Sequence, residues 1–235
     1  MHKKIAILQS NYIPWKGYFD LINQVDEFIL YDDMQYTRND WRNRNLIKSS
    51  TGIQWLTIPV KNKGKRLQKI SETEISDPNW GKKHWKTLVI NYSKAPYFNH
   101  YKEVFEPLYL NNKEQNLSQI NYLFLTAINK ILNINTPILW SSDFNVIGKK
   151  TERLVAICRD TEANEYISGP AAKSYMDETL FTDANITISW MEYSNYPSYP
   201  QLNPPFEHGV SILDLIFNQG TNATKYMKSF SHLEQ

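Results

Sequence analysis

The sequence predicts an α/β fold, a mainly parallel sheet with flanking helices, interrupted by an inserted β-containing arm over about residues 32–75. Three observations predict it. Several short runs are apolar without alternation, the pattern of strands buried on both faces of a parallel sheet. A strand, a loop, a helix and a strand follow one another within the first 31 residues, as in a βαβ unit. Later apolar runs then alternate with segments of helical period. The expectation is one Rossmann-like domain spanning residues 1–235.

The elements are read in order. Residues 4–8 form the first strand. The chain turns through Gln9-Ser10-Asn11-Tyr12-Ile13-Pro14, with Pro14 where a helix starts. Trp15, Tyr18, Phe19 and Ile22 continue at helical spacing, and residues 27–31 form a second strand. Residues 32–50 show no period, and their polar and aromatic density reads as an ordered functional loop. Residues 53–60 form an edge strand because of Pro59, and 61–66 form a basic turn, read as a hairpin tip. Asp77-Pro78 opens a helix whose face carries Trp80, His84, Leu88 and Tyr92. A second helix carries Phe98, Tyr101, Phe105 and Leu108, and a third covers residues 117–132. Then come a strand at 137–140, a helix at 150–163, strands at 166–167 and 186–193, and a final helix from the cap Ser211 to the stop Gly220.

Composition narrows the classes. Lys and Arg total 26 against 24 Asp and Glu, so no overall basic surplus marks a nucleic-acid binder. Cys158 is the lone cysteine, which excludes an internal disulfide and points to a reducing, cytoplasmic setting. The first apolar run ends at Gln9, too short for a signal-peptide core, and no stretch approaches membrane-spanning length. The five histidines show no ligand spacing, so no metal is expected. With neither Gly-x-Gly-x-x-Gly nor a Walker motif, a dinucleotide or P-loop cofactor is not expected either. Fifteen Tyr, ten Phe and seven Trp leave two readings, a bulky core or an aromatic-lined pocket.

Candidate chemistry gathers first at the loop after the first strand, since open α/β sheets bind ligands beyond their carboxyl strand ends. Gln9, Tyr12, Trp15, Gly17 and Tyr18 are the binding candidates there. The helix start offers free N–H groups to an anion, and Gly17 lets a ligand approach the backbone. Asp32 and Asp33 follow the second strand and suit a ribose, a cation or a proton, or else a turn. Arg42, Asn43 and Arg44 suit a phosphate. His84 carries a side chain whose unperturbed pKa lies near neutrality and is a candidate base beside Asp33, although a lone histidine on an apolar face is ordinarily structural. Cys158 reads as core packing. Gln9, Tyr12, Trp15, Asp33 and Arg44 are expected to line one cavity.

Gln9 through Phe19, read Gln-Ser-Asn-Tyr-Ile-Pro-Trp-Lys-Gly-Tyr-Phe, resembles the opening signature of the WbqC-like family. Ser10 stands where that family usually has Pro. Matching positions continue at Asp32-Asp33 with Gln35, Trp41 with Asn43-Arg44-Asn45, Leu56-Thr57-Ile58-Pro59-Val60 and Lys83-His84-Trp85. They go on through Ser141-Ser142-Asp143, Lys150-Thr151-Glu152-Arg153-Leu154, Tyr166-Ile167-Ser168-Gly169 and Ser211-Ile212-Leu213-Asp214. The resemblance adds Gln35, Lys150, Arg153 and Ser168 to the substrate-binding candidates. Members of that family are associated with bacterial O-antigen and other surface-polysaccharide gene clusters. The resemblance implies an enzyme acting on a nucleotide-linked amino sugar by acyl or aminoacyl transfer, or a non-catalytic sugar-nucleotide or glycan-binding component. The opening is also similar to nucleotidylyltransferase-type folds, but Trp15-Lys16-Gly17-Tyr18 replaces their His-x-Gly-His.

Overall fold

A computed structural model describes residues 2–144, 146 and 148–230. Strand β1 (Lys4–Leu8) pairs in parallel with β2 (Glu27–Leu30), in register from Ile5 opposite Glu27 to Leu8 opposite Leu30. Beyond β2 lies β5 (Ile138–Trp140); on the other side of β1 lie β6 (Glu165–Ser168) and β7 (Thr187–Trp190). The order β5-β2-β1-β6-β7 is all parallel, and the fold is α/β and Rossmann-like. The continuously apolar strands have the expected cause. Ile5, Ile7, Ile29 and Tyr166 pack into one core with α5 (Thr151–Asp160) and α6 (Thr179–Asp183). Ala6, Phe28, Leu30 and Ile167 pack into a second, larger one. That core takes in α1 (Lys16–Asn23), α2 (Trp80–Tyr92), α3 (Phe98–Leu110), α4 (Leu117–Ile131) and α7 (Ile212–Gln219). Among the described residues, no helix is long and apolar enough to cross a membrane.

The arm differs from the sequence reading. Strand β3 (Arg44–Ser49) pairs antiparallel with β4 (Gly52–Thr57), so the hairpin tip lies at residues 50–51 and not at 61–66. β3 shows no sequence period because its polar residues are buried by distant partners. The Asn45 amide donates to the carbonyls of Tyr12 and Ile13, both at 3.0 Å. The Lys48 N–H donates to the Tyr92 hydroxyl at 2.9 Å. Asn45 thereby steadies Ile13, a β-branched residue at φ 37°, where side chains rarely sit.

A buried polar cluster joins the first loop to the helices. The Tyr12 hydroxyl lies 2.9 Å from His84 Nδ1 and 3.0 Å from the Tyr109 hydroxyl, while His84 Nε2 lies 3.1 Å from the Thr57 carbonyl. A carbonyl only accepts, so Nε2 carries the proton in the neutral ring, and Nδ1 faces the Tyr12 hydroxyl. Burial lowers the His84 pKa to about 4, against the raising effect of the Thr57 carbonyl. Trp80 packs edge-on to both Tyr12 and His84.

Two outcomes follow. The native state keeps His84 neutral where the unfolded chain binds a proton, so stability falls as pH drops from about 6.5 towards about 4. The loss attributable to this ring is about 3 kcal/mol. Urea unfolding of His84→Gln across that window should give a flatter dependence than wild type; parallel curves would contradict the assignment. Gly81 reports the close crossing of α2 and α3. A Cβ there would stand 2.0 Å from the Tyr109 carbonyl oxygen. Gly81→Ala should therefore lower unfolding stability by roughly 3 kcal/mol. An ordinary helix glycine would instead gain up to about 1 kcal/mol.

Candidate functional site

The sheet order reverses at β1, whose chain leads to β2 and β5 on one side while β6 and β7 lie on the other. Neighbouring strands whose chains leave in opposite directions open a crevice at their carboxyl ends. A cavity of about 520 Å³ occurs there, where β1 and β6 end and α5 begins. Gln9 comes from the residue after β1, Ser168 from the end of β6, and Lys150 and Thr151 from the start of α5. Tyr31, Met34, Leu154, Tyr166, Tyr175 and Met176 supply much of the remaining wall.

The polar groups of the lining are few. The Ser168 hydroxyl lies 3.3 Å from that of Tyr166, which is pushed above its ordinary pKa by burial. The Thr151 hydroxyl accepts the Asp177 N–H at 3.2 Å. Lys150 caps α5 with φ 49° and ψ −121°, a conformation costly for any residue but glycine. Behind Tyr31 stands a charged pair. Arg153 donates to the Tyr31 hydroxyl at 3.1 Å and to the Asp33 carboxylate, whose other oxygen accepts from Ser141 at 2.6 Å. Tyr175 is 72% exposed on the cavity wall, a flat ring open to solvent.

The structure thus brings Gln9, Lys150 and Ser168 together on one cavity, with Asp33 and Arg153 paired behind its Tyr31 wall. The expected grouping of Gln9, Tyr12, Trp15, Asp33 and Arg44 does not form: of these, Gln9 alone lines the cavity among the described residues. The others turn to partners of their own. Tyr12 and His84 sit in the buried cluster, both ring nitrogens of His84 engaged. Trp15 packs edge-on against Tyr193 and Tyr196, and Gly17 leaves room for its ring, since a Cβ there would lie 2.4 Å from it. The Tyr18 hydroxyl donates to the Gln9 carbonyl at 3.0 Å. Asp32 is buried with both oxygens occupied, one by the Ser10 N–H at 2.8 Å and the other by the Ser118 hydroxyl. Burial pushes its pKa up, against the lowering effect of those bonds.

The arm residues behave alike. The Asn43 amide donates to the Ile58 carbonyl at 2.7 Å. Arg42 bonds to Asn11, and Arg44 bonds to the Asn39 carbonyl while stacking 4.1 Å from the centre of the Trp55 ring. Gln35, exposed, donates to the Arg66 carbonyl at 2.8 Å. Lys16 is buried with its ammonium on the Pro197 carbonyl at 2.9 Å and near the Tyr196 and Tyr199 rings; burial lowers its pKa to about 8. Cys158 is buried and its thiol pushed up to about 12, as a packing residue requires. Among the described residues, no three His, Cys, Asp or Glu side chains gather as a metal site.

Sequence reasoning did not single out Tyr31, Met34, Leu154, Tyr175 or Met176. The signal for the first is its place at the end of the second predicted strand; for Tyr175 the sequence carries none, because its exposure depends on the turn after β6.

Comparison with known proteins agrees over nearly the whole chain. The model of the WbqC-like protein family matches residues 9–226. The chain is 51% identical over 226 residues to an uncharacterized protein of Mycobacterium tuberculosis, covering 96% of this chain and 98% of that protein. No solved structure matches. The chain therefore belongs to the WbqC-like protein family.

Proposed function

We propose that this protein is an enzyme of bacterial surface-glycan biosynthesis that takes a nucleotide-linked amino sugar in the cavity between β1, β6 and α5 and promotes acyl or aminoacyl transfer to it. The observation that carries this reading is the cavity's position. It lies at the switch point of a Rossmann-like sheet, where α/β folds hold nucleotides, and its volume of about 520 Å³ suits a bound sugar or nucleoside. The glycan setting rests on the family resemblance.

In this reading Lys150 and the first N–H groups of α5 hold a phosphate. Tyr175 stacks on a ring of the ligand, and Gln9 and Ser168 bond to its hydroxyls. An attacking amine loses a proton as it bonds to the acyl carbon and the donor's leaving group departs, and Asp33 takes that proton once the Tyr31 ring that separates it from the cavity swings aside. Arg153 and Ser141 fix the carboxylate that does so. The same pairing gives the second reading its support. A carboxylate already held by an arginine and a hydroxyl suits recognition as well as proton transfer, as in a non-catalytic sugar-nucleotide-binding component.

A thermal-shift screen against uridine- and thymidine-diphosphate amino sugars tests binding, since a ligand of the native state raises its apparent stability. At least one such compound should raise the melting temperature of wild type, and Lys150→Ala should weaken its binding by on the order of tenfold or more, the range for a charge-assisted hydrogen bond. No shift with any member would sink the reading. With a responsive ligand in hand, Asp33→Asn should keep binding and lose turnover by roughly two to four decades. Equal loss of both would favour the binding component.

A further inference from the structure

The arm contains a second feature that the cavity does not use. Residues 61–69 read Lys-Asn-Lys-Gly-Lys-Arg-Leu-Gln-Lys, with five cations and no acid. Lys61, Lys63, Lys65, Arg66 and Lys69 are all exposed, and exposed Arg38 reaches the same loop at the Asn62 carbonyl, 3.4 Å away. Among the described residues, the run's one ion pair joins Lys61 to Glu74 at 2.8 Å. The chain's formal net charge is only +2, so this is a local concentration of charge and not a property of the whole surface.

Amid these cations stands Leu67, 80% exposed. The loop is not slack. Gly64 turns it at φ 74°, the Lys65 N–H donates to the Asn62 carbonyl at 3.2 Å, and the Gln68 amide ties back to the Lys61 carbonyl at 3.2 Å. Gln68 itself is buried and its carbonyl accepts the Tyr36 N–H at 2.9 Å, which anchors the base. The fold therefore holds a leucine out in water on a loop dense in positive charge.

A single exposed leucine means little. Its combination with six cations does select a partner. Nucleic acid would neutralise the cations and leave Leu67 in water. A bilayer with anionic headgroups satisfies both, because phosphates meet the cations and the acyl boundary takes the leucine. We propose that this loop docks the protein peripherally on an anionic phospholipid membrane, with Arg38 and the five cations on the headgroups and Leu67 entering the acyl boundary.

The position of the loop gives docking a consequence. Its returning leg bonds to the leg that follows Asp33, through Ile70 N–H to the Met34 carbonyl at 2.9 Å, and Met34 lines the cavity. A docked loop holds the cavity beside the membrane surface. The inference stands on the loop alone and does not require the cavity's proposed chemistry.

Co-sedimentation of the full chain with vesicles tests it. Phosphatidylcholine vesicles containing phosphatidylglycerol should pull the protein down, pure phosphatidylcholine vesicles should not, and added salt should weaken capture. Charge reversal at Lys63→Glu, Lys65→Glu and Arg66→Glu together should cut partitioning by on the order of a hundredfold. Leu67→Asn should weaken capture while leaving its salt dependence unchanged. Melting temperature and sugar-nucleotide titration of each variant should match wild type, which separates failure here from failure of the cavity reading. Equal capture by neutral vesicles, anionic capture untouched by the triple variant, or salt-sensitive binding of an RNA oligonucleotide without vesicle binding would overturn the proposal.

Discussion

The structure hangs on one buried carboxylate. Asp32 opens the turn after β2, and its two oxygens are taken by the Ser10 N–H at the exit of β1 and the Ser118 hydroxyl at the start of α4. Its own carbonyl accepts the Ser71 N–H from the returning leg of the arm at 2.8 Å. Four pieces of chain thus meet on one residue: the exits of two neighbouring strands, a helix start and the base of the arm. Taking a carboxylate out of water is costly, and each bond offsets part of that cost. Asn121 extends the junction, donating to the Ser10 hydroxyl and the Arg42 carbonyl, both at 2.9 Å. With the loop after β1 pinned on this side, its next residues are committed to the core, and the ligand space is left on the β6 side.

The abundance of tyrosine has a related cause. A Tyr ring fills core volume as Phe does but brings a hydroxyl that can close a polar account at depth. Tyr92 and Tyr199 both donate to the buried Asp214, at 2.9 and 2.8 Å, and burial pushes that carboxyl's pKa up. Tyr92 also accepts the Lys48 N–H, tying the hairpin to α2 and α7. Tyr12 does the same for the first loop through His84 and Tyr109. Most of the aromatic content is thus core. These rings build the core, Tyr31 and Tyr175 line the cavity, and Tyr166 belongs to both.

The aromatic and polar residues that most attracted functional attention are largely those satisfied by one another. Tyr12, Asp32, Asn43 and Asn45, in the first loop and the arm, and His84, on α2, are residue types used in catalysis. Each finds its partner in another segment, and the product of those bonds is the shape of the loop. Residues on the cavity are fewer and less conspicuous in sequence: a glutamine after a strand, a lysine before a helix, a serine closing a short strand.

The sequence by itself determined the elements whose burial repeats locally. The unbroken apolar run at 4–8, the aromatic faces of α2 and α3, and the Ser211 and Gly220 boundaries of α7 are set by neighbours within a few residues, and periodicity and capping report them. Only the tertiary structure decided the rest. β3 is a strand although its buried positions include Asn45, Lys48 and Ser49, because the groups that satisfy Asn45 and Lys48 lie far off in the chain. The cavity is likewise a product of strand order, since it joins Gln9 to Ser168 only because β6 lies beside β1. Local pattern is fixed by the backbone's short-range geometry; partner choice across more than 150 residues is fixed by which buried polar groups can meet.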